Sequence, residues 1–324
     1  MNSPKKEASR LYDFKPGQAQ FRDEVLRGLR KSPKELPTKY LYDKRGSELY
    51  EQICTLDEYY IPRTEVAIME DNINEIVNLL GPSAILIEYG CGSCTKTHIL
   101  LDNMADIAAY IPIDISHEQL QGVAAELEQN YPRLEIIPVC ADYTESFQIP
   151  LPKETGDRTI VYFPGSSIGN FDPTSAKVLL TNIADTCGPG GALLIGADLK
   201  KDTDILYRAY NDHDGVTAAF NMNLLERINH ELQGDFQLKD FEHRAFYNPN
   251  AGRVEMHLVS MKDQTVHLDN TSIALVKGET IWTESSYKYD MDGFKRLAAE
   301  AGFSVERAWT DEKKWFSVQY LVVV

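Results

Sequence analysis

From residue 84 the chain alternates short apolar runs with amphipathic stretches. The runs are AILIEYG (84–90), AAYIPIDI (108–115), LEIIPVCAD (134–142), TIVYFPGS (159–166) and GALLIGADL (191–199). Runs of this length and character, bounded by Gly or Pro, suit strands buried on both faces. Between them, SHEQLQGVAAELEQNY (116–131) opens on Ser116, a cap candidate, and sets Leu120, Val123, Ala124 and Leu127 on one side of a helix. DPTSAKVLLTNIADTC (172–187) opens on Asp-Pro and stops before Gly188-Pro-Gly-Gly. Strands alternating with helices in this way predict an α/β fold with a doubly wound parallel sheet.

After residue 200 the pattern breaks. Residues 213–232 read as a helix with Phe220, Leu224 and Ile228 four apart. RVEMHLVS (253–260), QTVHL (264–268), TSIALV (271–276) and TIWTESSYKY (280–289) then read as antiparallel strands. MDGFKRLAAEAG (291–302) is an amphipathic helix with a glycine stop, and FSVERAWTD and WFSVQYLVVV close the chain as two strands. The expected division is a core of residues 70–200 and 289–324, with a second α+β domain of residues 1–69 and 201–288.

Composition narrows the function. With 43% hydrophobic residues the chain can bury a core, and no apolar run is long enough to cross a bilayer. The segment MNSPKKEASRLYDF lacks the apolar stretch of a secretory signal. A net charge of −16, with no Lys/Arg cluster, disfavours nucleic acid and leaves a small-molecule enzyme or a protein-binding module; no membrane partner is expected. Five cysteines, sparse and odd in number, point to a reducing compartment, with the cytoplasm as the default. Nothing in the pattern reports an oligomeric state, and a monomer is compatible with it.

The stretch EYGCGSCTKT (88–97) holds both a GxG after a strand and a CxxC, Cys91 to Cys94. A zinc site needs more ligands, and no second CxxC or CxxH occurs. The seven histidines show no HxH or HExxH spacing, so no metal is expected. A glycine-rich turn between strand and helix brings backbone N–H groups close to a ligand, as Gly90 and Gly92 are placed to do. A dinucleotide fingerprint wants a third glycine where Thr95 stands. Two glycines suffice for a cofactor without phosphates, such as S-adenosylmethionine. Asp114 closes the second strand roughly 20 residues past Gly92, where a carboxylate can accept both ribose hydroxyls. Asp142 closes the third and can receive an adenine amino group, with Tyr143 beside the ring. An aspartate at a strand end also serves as a helix cap, and any one of these residues alone is weak evidence.

YDKRGSELYEQICTLDEYYIPRTE (42–65), EYGCGSCTKT (88–97), GSSIGN (165–170), LLIGADLKKD (193–202), RAYNDHDGVTAAFNMNLL (208–225) and TESSYK (283–288) together resemble the histidine-specific N-alpha-methyltransferases of ergothioneine biosynthesis. The likeness runs over nearly the whole chain. It implies a class I methyltransferase core plus a substrate domain. It also implies transfer of up to three methyl groups from S-adenosylmethionine to the α-amine of L-histidine, giving hercynine. The cofactor contacts it implies are Tyr42, Gly90, Gly92, Lys96, Asp114, Asp142 and Tyr143. The implied substrate contacts are Tyr59, Asn170, Tyr210, Met256, Glu284 and Ser286. Asn170 and Tyr210 would take the α-carboxylate, Glu284 and Ser286 the imidazole, and Tyr42 is the catalytic candidate.

Several of these roles have a physical basis in the sequence. Glu284 and Ser286 are two apart in a strand and so share a face. A carboxylate and a hydroxyl can engage the two ring nitrogens of imidazole. A free α-amine titrates at about 8 to 9, so no strong base is required, and Tyr42 or a water can relay the proton. Taken without the resemblance, Tyr210 also fits a core aromatic, Asn170 a turn residue, Lys96 a solvated first-turn residue and TESSY an exposed edge. Within the family the alternative is N-methylation of another amino acid or aromatic amine. Outside it stand a nicotinamide oxidoreductase, against which the missing glycine counts, and a non-catalytic binding module.

Overall fold

The computed structural model describes residues 11–14, 17–92, 95–104, 106–145 and 147–324. The elements begin with β1 (Tyr12–Asp13), α1 (Gln18–Leu29), β2 (Lys34–Glu35), a 3-10 turn at Thr38–Leu41, α2 (Lys44–Thr55) and α3 (Ile61–Leu80). The alternating region follows as β3 (Ala84–Tyr89), α4 (Thr95–Asn103), β4 (Ile107–Asp114), α5 (His117–Asn130), β5 (Glu135–Ile136), β6 (Val139–Cys140) and β7 (Arg158–Phe163). It ends with a 3-10 turn at Ser167–Asn170, α6 (Pro173–Cys187) and β8 (Ala192–Asp198). The large sheet runs β1-β6-β4-β3-β7-β8-β15-β14, where β14 is Phe303–Thr310 and β15 is Phe316–Val323. It is parallel from β1 to β8, and β15 lies antiparallel to both of its neighbours.

The chain leaves β3 in one direction toward β4 and β6, then returns to add β7 and β8 on the other side. Ligands bind at the carboxyl ends of strands at such a reversal. Alternation along the strands feeds two cores. Ile160 and Tyr162 of β7 join the core that includes α3, whereas Val161 and Phe163 join the one under α6 and α9 (Met291–Glu300).

The second unit holds α7 (Thr203–Tyr210), α8 (Val216–Leu232), β9 (Phe241–Asn248), β10 (Arg253–Ser260), the hairpin β11 (Gln264–Leu268) with β12 (Thr271–Leu275), and β13 (Thr280–Tyr287). Its sheet runs β2-β13-β10-β9, so the N-terminal segment contributes a strand beside β13. Helix α8 buries Phe220, Leu224 and Ile228.

Four features depart from the sequence expectations. The boundary expected between residues 69 and 70 falls inside α3, whose buried Met69, Ile76 and Leu80 join the core shared with Val318 and Tyr320 of β15. The run at 134–142 is split into β5 and β6, because Pro138 has no N–H to continue the ladder. Strand β9 was not anticipated: FEHRAFYN is polar at most positions because it is an edge strand. Ser116 occupies the cap position of α5 without a side-chain cap, whereas Asp172 does cap α6, accepting from the N–H groups of Thr174 and Ser175.

Candidate active site

The carboxyl rim of the sheet carries the expected cofactor residues. Gly90 and Gly92 have φ of +73° and +50°, a region costly for other residues. Among the described residues, a Cβ built on either meets nothing within 4 Å. Asp114 accepts from the N–H of Ser116 at 2.9 Å and, more loosely, from that of Gly92 at 3.3 Å. Burial raises its carboxyl, and these N–H groups partly offset the rise. Asp142 accepts from Thr144 N–H at 2.9 Å and from Lys39 Nζ at 2.9 Å, which ties the N-terminal unit to the rim. Tyr143 stacks on Tyr89 with centroids 5.3 Å apart.

Lys96 already has a carboxylate partner, the fully buried Glu65 of α3, at 2.7 Å. The same carboxylate accepts from Gly165 N–H at 2.9 Å. Of the CxxC, Cys91 is buried and Cys94 lies outside the described residues. Among the described residues no group of three or more His, Cys, Asp or Glu could hold a metal ion.

Beside this rim, Tyr42, Tyr59, Asn170, Tyr210, Met256, Glu284 and Ser286 line one cavity of about 500 Å³, its open mouth included. They arrive from widely separated parts of the chain. Tyr42 follows the 3-10 turn, Tyr59 precedes α3, Tyr210 ends α7, and Met256 of β10 pairs with Glu284 of β13. Asn170 is placed by a close approach: a Cβ on Gly169 would lie 2.8 Å from the Tyr287 carbonyl oxygen, so only glycine lets this turn sit against β13. Burial, then Glu284, raises the Tyr42 phenol well above its ordinary value, and Tyr143 acts in the same sense. Tyr42 thus stands within electrostatic reach of both the pocket and the rim.

Three features of the cavity were not read from the sequence. Tyr50 and Phe220 complete an aromatic wall, with centroids 5.6 and 5.5 Å from that of Tyr42. Ser166 lines the pocket in a left-handed conformation, φ +59°, and its Oγ accepts from Asp198 N–H at 2.9 Å. Such strain in a non-glycine residue concentrates at functional sites. Behind the pocket lies a buried charge cluster. Asp198 pairs with Lys288 at 2.7 Å and with Lys201, and accepts from Tyr60 Oη at 2.7 Å. Lys288 continues the period-2 spacing of Glu284 and Ser286, which is the sequence signal that could have revealed it.

Two groups face the cavity with chemistry unspent. Burial pushes the Glu284 carboxyl up to about 7, with Lys288 a partial offset, and no described residue hydrogen-bonds that carboxylate. Ser286 Oγ accepts from Tyr210 Oη at 2.8 Å and from Lys288 Nζ at 2.7 Å. Tyr210 and Ser286, expected at opposite ends of the substrate, are therefore directly bonded to each other.

The strand order, the antiparallel β15 between β8 and β14, and the open glycine turn after the central β3 define a class I methyltransferase sheet. The chain belongs to the family of histidine-specific, S-adenosylmethionine-dependent methyltransferases, which it matches over residues 21–323. It is 40% identical to the histidine N-alpha-methyltransferase of Mycolicibacterium smegmatis, over 93% of this chain and 94% of that one. It is 30% identical to ergothioneine biosynthesis protein 1 of Neurospora crassa, over 86% of this chain and 32% of that one. An N-methyltransferase of Aspergillus flavus, imqF, is 28% identical over 90% of this chain and 81% of its own. The cofactor is S-adenosylmethionine. The space that the described residues leave over Gly90 and Gly92, beside a carboxylate at Asp114, fits such a group.

Proposed function

We propose that this chain methylates the α-amino group of L-histidine, up to three times, to give hercynine for ergothioneine biosynthesis. The observation that carries this reading is the cavity itself. Seven residues from distant elements converge there, and its polar groups suit an imidazole-bearing amino acid. Glu284 and Ser286 take the two ring nitrogens, and Asn170 and Tyr210 take the α-carboxylate. A pocket built for ring hydrogen bonds rejects rings lacking them, because its own polar groups would be stranded.

Gly90, Gly92, Lys96, Asp114, Asp142, Tyr143 and Tyr42 would hold the cofactor, which supplies an activated methyl group on a sulfonium. The chain's own contribution is alignment of the amine and removal of its proton. Tyr42 enters as a neutral hydroxyl, since its phenol is pushed well above the ordinary range. It can relay a proton by accepting on Oη while giving up its own, but it does not serve as a phenolate base. Tyr42, Tyr50, Tyr59 and Phe220 present ring faces and edges to a nitrogen whose bulk grows and whose charge becomes permanent, a setting in which cation–π attraction is effective.

The similarity to a fungal N-methyltransferase keeps a second substrate reading in view, another amino acid or aromatic amine. Purified protein with S-adenosylmethionine and a panel of amino acids and amines, read by mass spectrometry, separates the two. Trimethylated histidine as the main product supports the first reading, and methylation of another member without histidine overturns it. No helix among the described residues is long and apolar enough to cross a membrane. A cytoplasmic enzyme accords with the sparse cysteines.

A further inference from the structure

We propose that Lys288 is a positioning residue that binds Tyr210 and Ser286 into one proton-sharing pair, so that the two ends of the substrate are recognised jointly. This rests on the assignment of Tyr210 to the carboxylate and Ser286 to the ring. The case is a count of donors and acceptors. Lys288 is fully buried, and its ammonium has three protons, all used: on Asp198 Oδ2 at 2.7 Å, Tyr210 Oη at 3.0 Å and Ser286 Oγ at 2.7 Å. Ser286 Oγ, accepting from Lys288 and Tyr210, has no acceptor site left. Its own proton has no partner among the described residues, and Ser286 lines the cavity.

Two hydroxyls hold two protons, and one is consumed in the bond between them. The pair therefore has a single proton to offer the pocket. As the structure stands, Ser286 offers it. When a substrate carboxylate draws the Tyr210 proton outward, Ser286 must turn its own proton onto Tyr210 Oη and present a lone pair to the ring instead. Lys288 enforces this exchange because it occupies one acceptor site on each oxygen and cannot itself accept. Burial alone would lower its ammonium, but Asp198 and then Tyr210 outweigh burial and keep it charged. Asp198 is fully buried and also paired with Lys201, whose ammonium burial lowers to about 8 while Asp198 and Asp311 partly restore it.

The test is calorimetric titration of histidine, with S-adenosylhomocysteine present, into the wild type, Lys288→Met, Ser286→Ala and the Lys288→Met/Ser286→Ala double variant, alongside steady-state kinetics. Lys288→Met is expected to weaken histidine binding about tenfold and to raise KM by the same factor, with kcat within about threefold. In the Ser286→Ala background the same substitution should change binding less than about threefold, because the hydroxyl pair it holds together is gone. Equal losses in both backgrounds, or a folded Lys288→Met that binds histidine normally, overturn the proposal. If Lys288→Met gives no cooperative melt, Tyr210→Phe, Ser286→Ala and their combination carry the test. A shared proton requires the double variant to bind no worse than about threefold below the weaker single, and a fully multiplicative or undetectable double overturns it. Should the wild type ignore histidine and take another amino acid, the substrate reading fails, and the same variants titrated with that amino acid still test the pair.

Discussion

The cofactor rim and the substrate pocket sit side by side but are built on opposite plans. At the rim the carboxylates already have partners: Asp114 the N–H groups of Ser116 and Gly92, and Asp142 the N–H of Thr144 and, from the N-terminal segment, Lys39 Nζ. In the pocket the contributors come from the N-terminal segment, the turn after β7, α7, α8, β10 and β13, and the key carboxylate is left without a partner. The rim's carboxylates are satisfied before ligand arrives. A pocket assembled from six elements, with an unpaired acid and a buried charge cluster, is held ready at a cost in stability and gives selectivity in return.

The sharpest break in the comparison is expected from Glu284→Ala. Histidine kcat/KM should fall by about 100-fold or more, since the ring loses a buried hydrogen-bond partner, while S-adenosylmethionine affinity stays within about threefold. Unchanged histidine turnover would remove Glu284 from ring recognition. Next in size is Gly169→Ala. Its Cβ would meet the Tyr287 carbonyl at 2.8 Å, so the turn must lift from β13 and carry Asn170 with it. A loss of about 30-fold in histidine kcat/KM is expected, again with cofactor binding kept. Replacing Phe220 with Leu should slow the last methyl transfer by about tenfold relative to the first, seen as mono- and dimethylated histidine accumulating by mass spectrometry.

The smallest effect concerns stability. The Glu284 carboxyl is raised to about 7 in the folded chain, against an ordinary value of 4.5. Between those values the folded state holds a proton that the unfolded state has released. Stability therefore falls as pH rises through that window and stays lower above it. Glu284→Gln should be more stable than the wild type at pH 8 by about 1 kcal/mol, after allowance for partial solvation, and nearly equal at pH 4. Urea unfolding at the two pH values measures the difference, and a variant less stable at pH 8 would contradict the electrostatic account.

The contrast also explains what could be read from the sequence. The alternating strands and helices, the glycine turn, and Asp114 and Asp142 at strand ends follow from local periodicity and chain order, so they were legible. Lys288 escaped notice because a buried lysine makes sense only with Asp198 beside it, and Asp198 lies far away in the chain. Glu65 escaped for the same reason: nothing within α3 announces that its carboxylate meets Lys96 and the N–H of Gly165. Strand β9 is polar because it is an edge, and α3 crosses the expected boundary because its apolar face packs on the large sheet. The seven pocket residues were named through the family resemblance, whereas residue pattern alone supported only the shared face of Glu284 and Ser286.

The most direct test of the central claim, that this pocket selects an amino acid by hydrogen bonds to its ring, is a competition in one vessel. Equimolar histidine and phenylalanine, with limiting S-adenosylmethionine, report the ratio of their kcat/KM values as the ratio of methylated products by mass spectrometry. The account predicts an excess of methylated histidine of at least about 1000-fold. A ratio near one, or an excess of methylated phenylalanine, would contradict it.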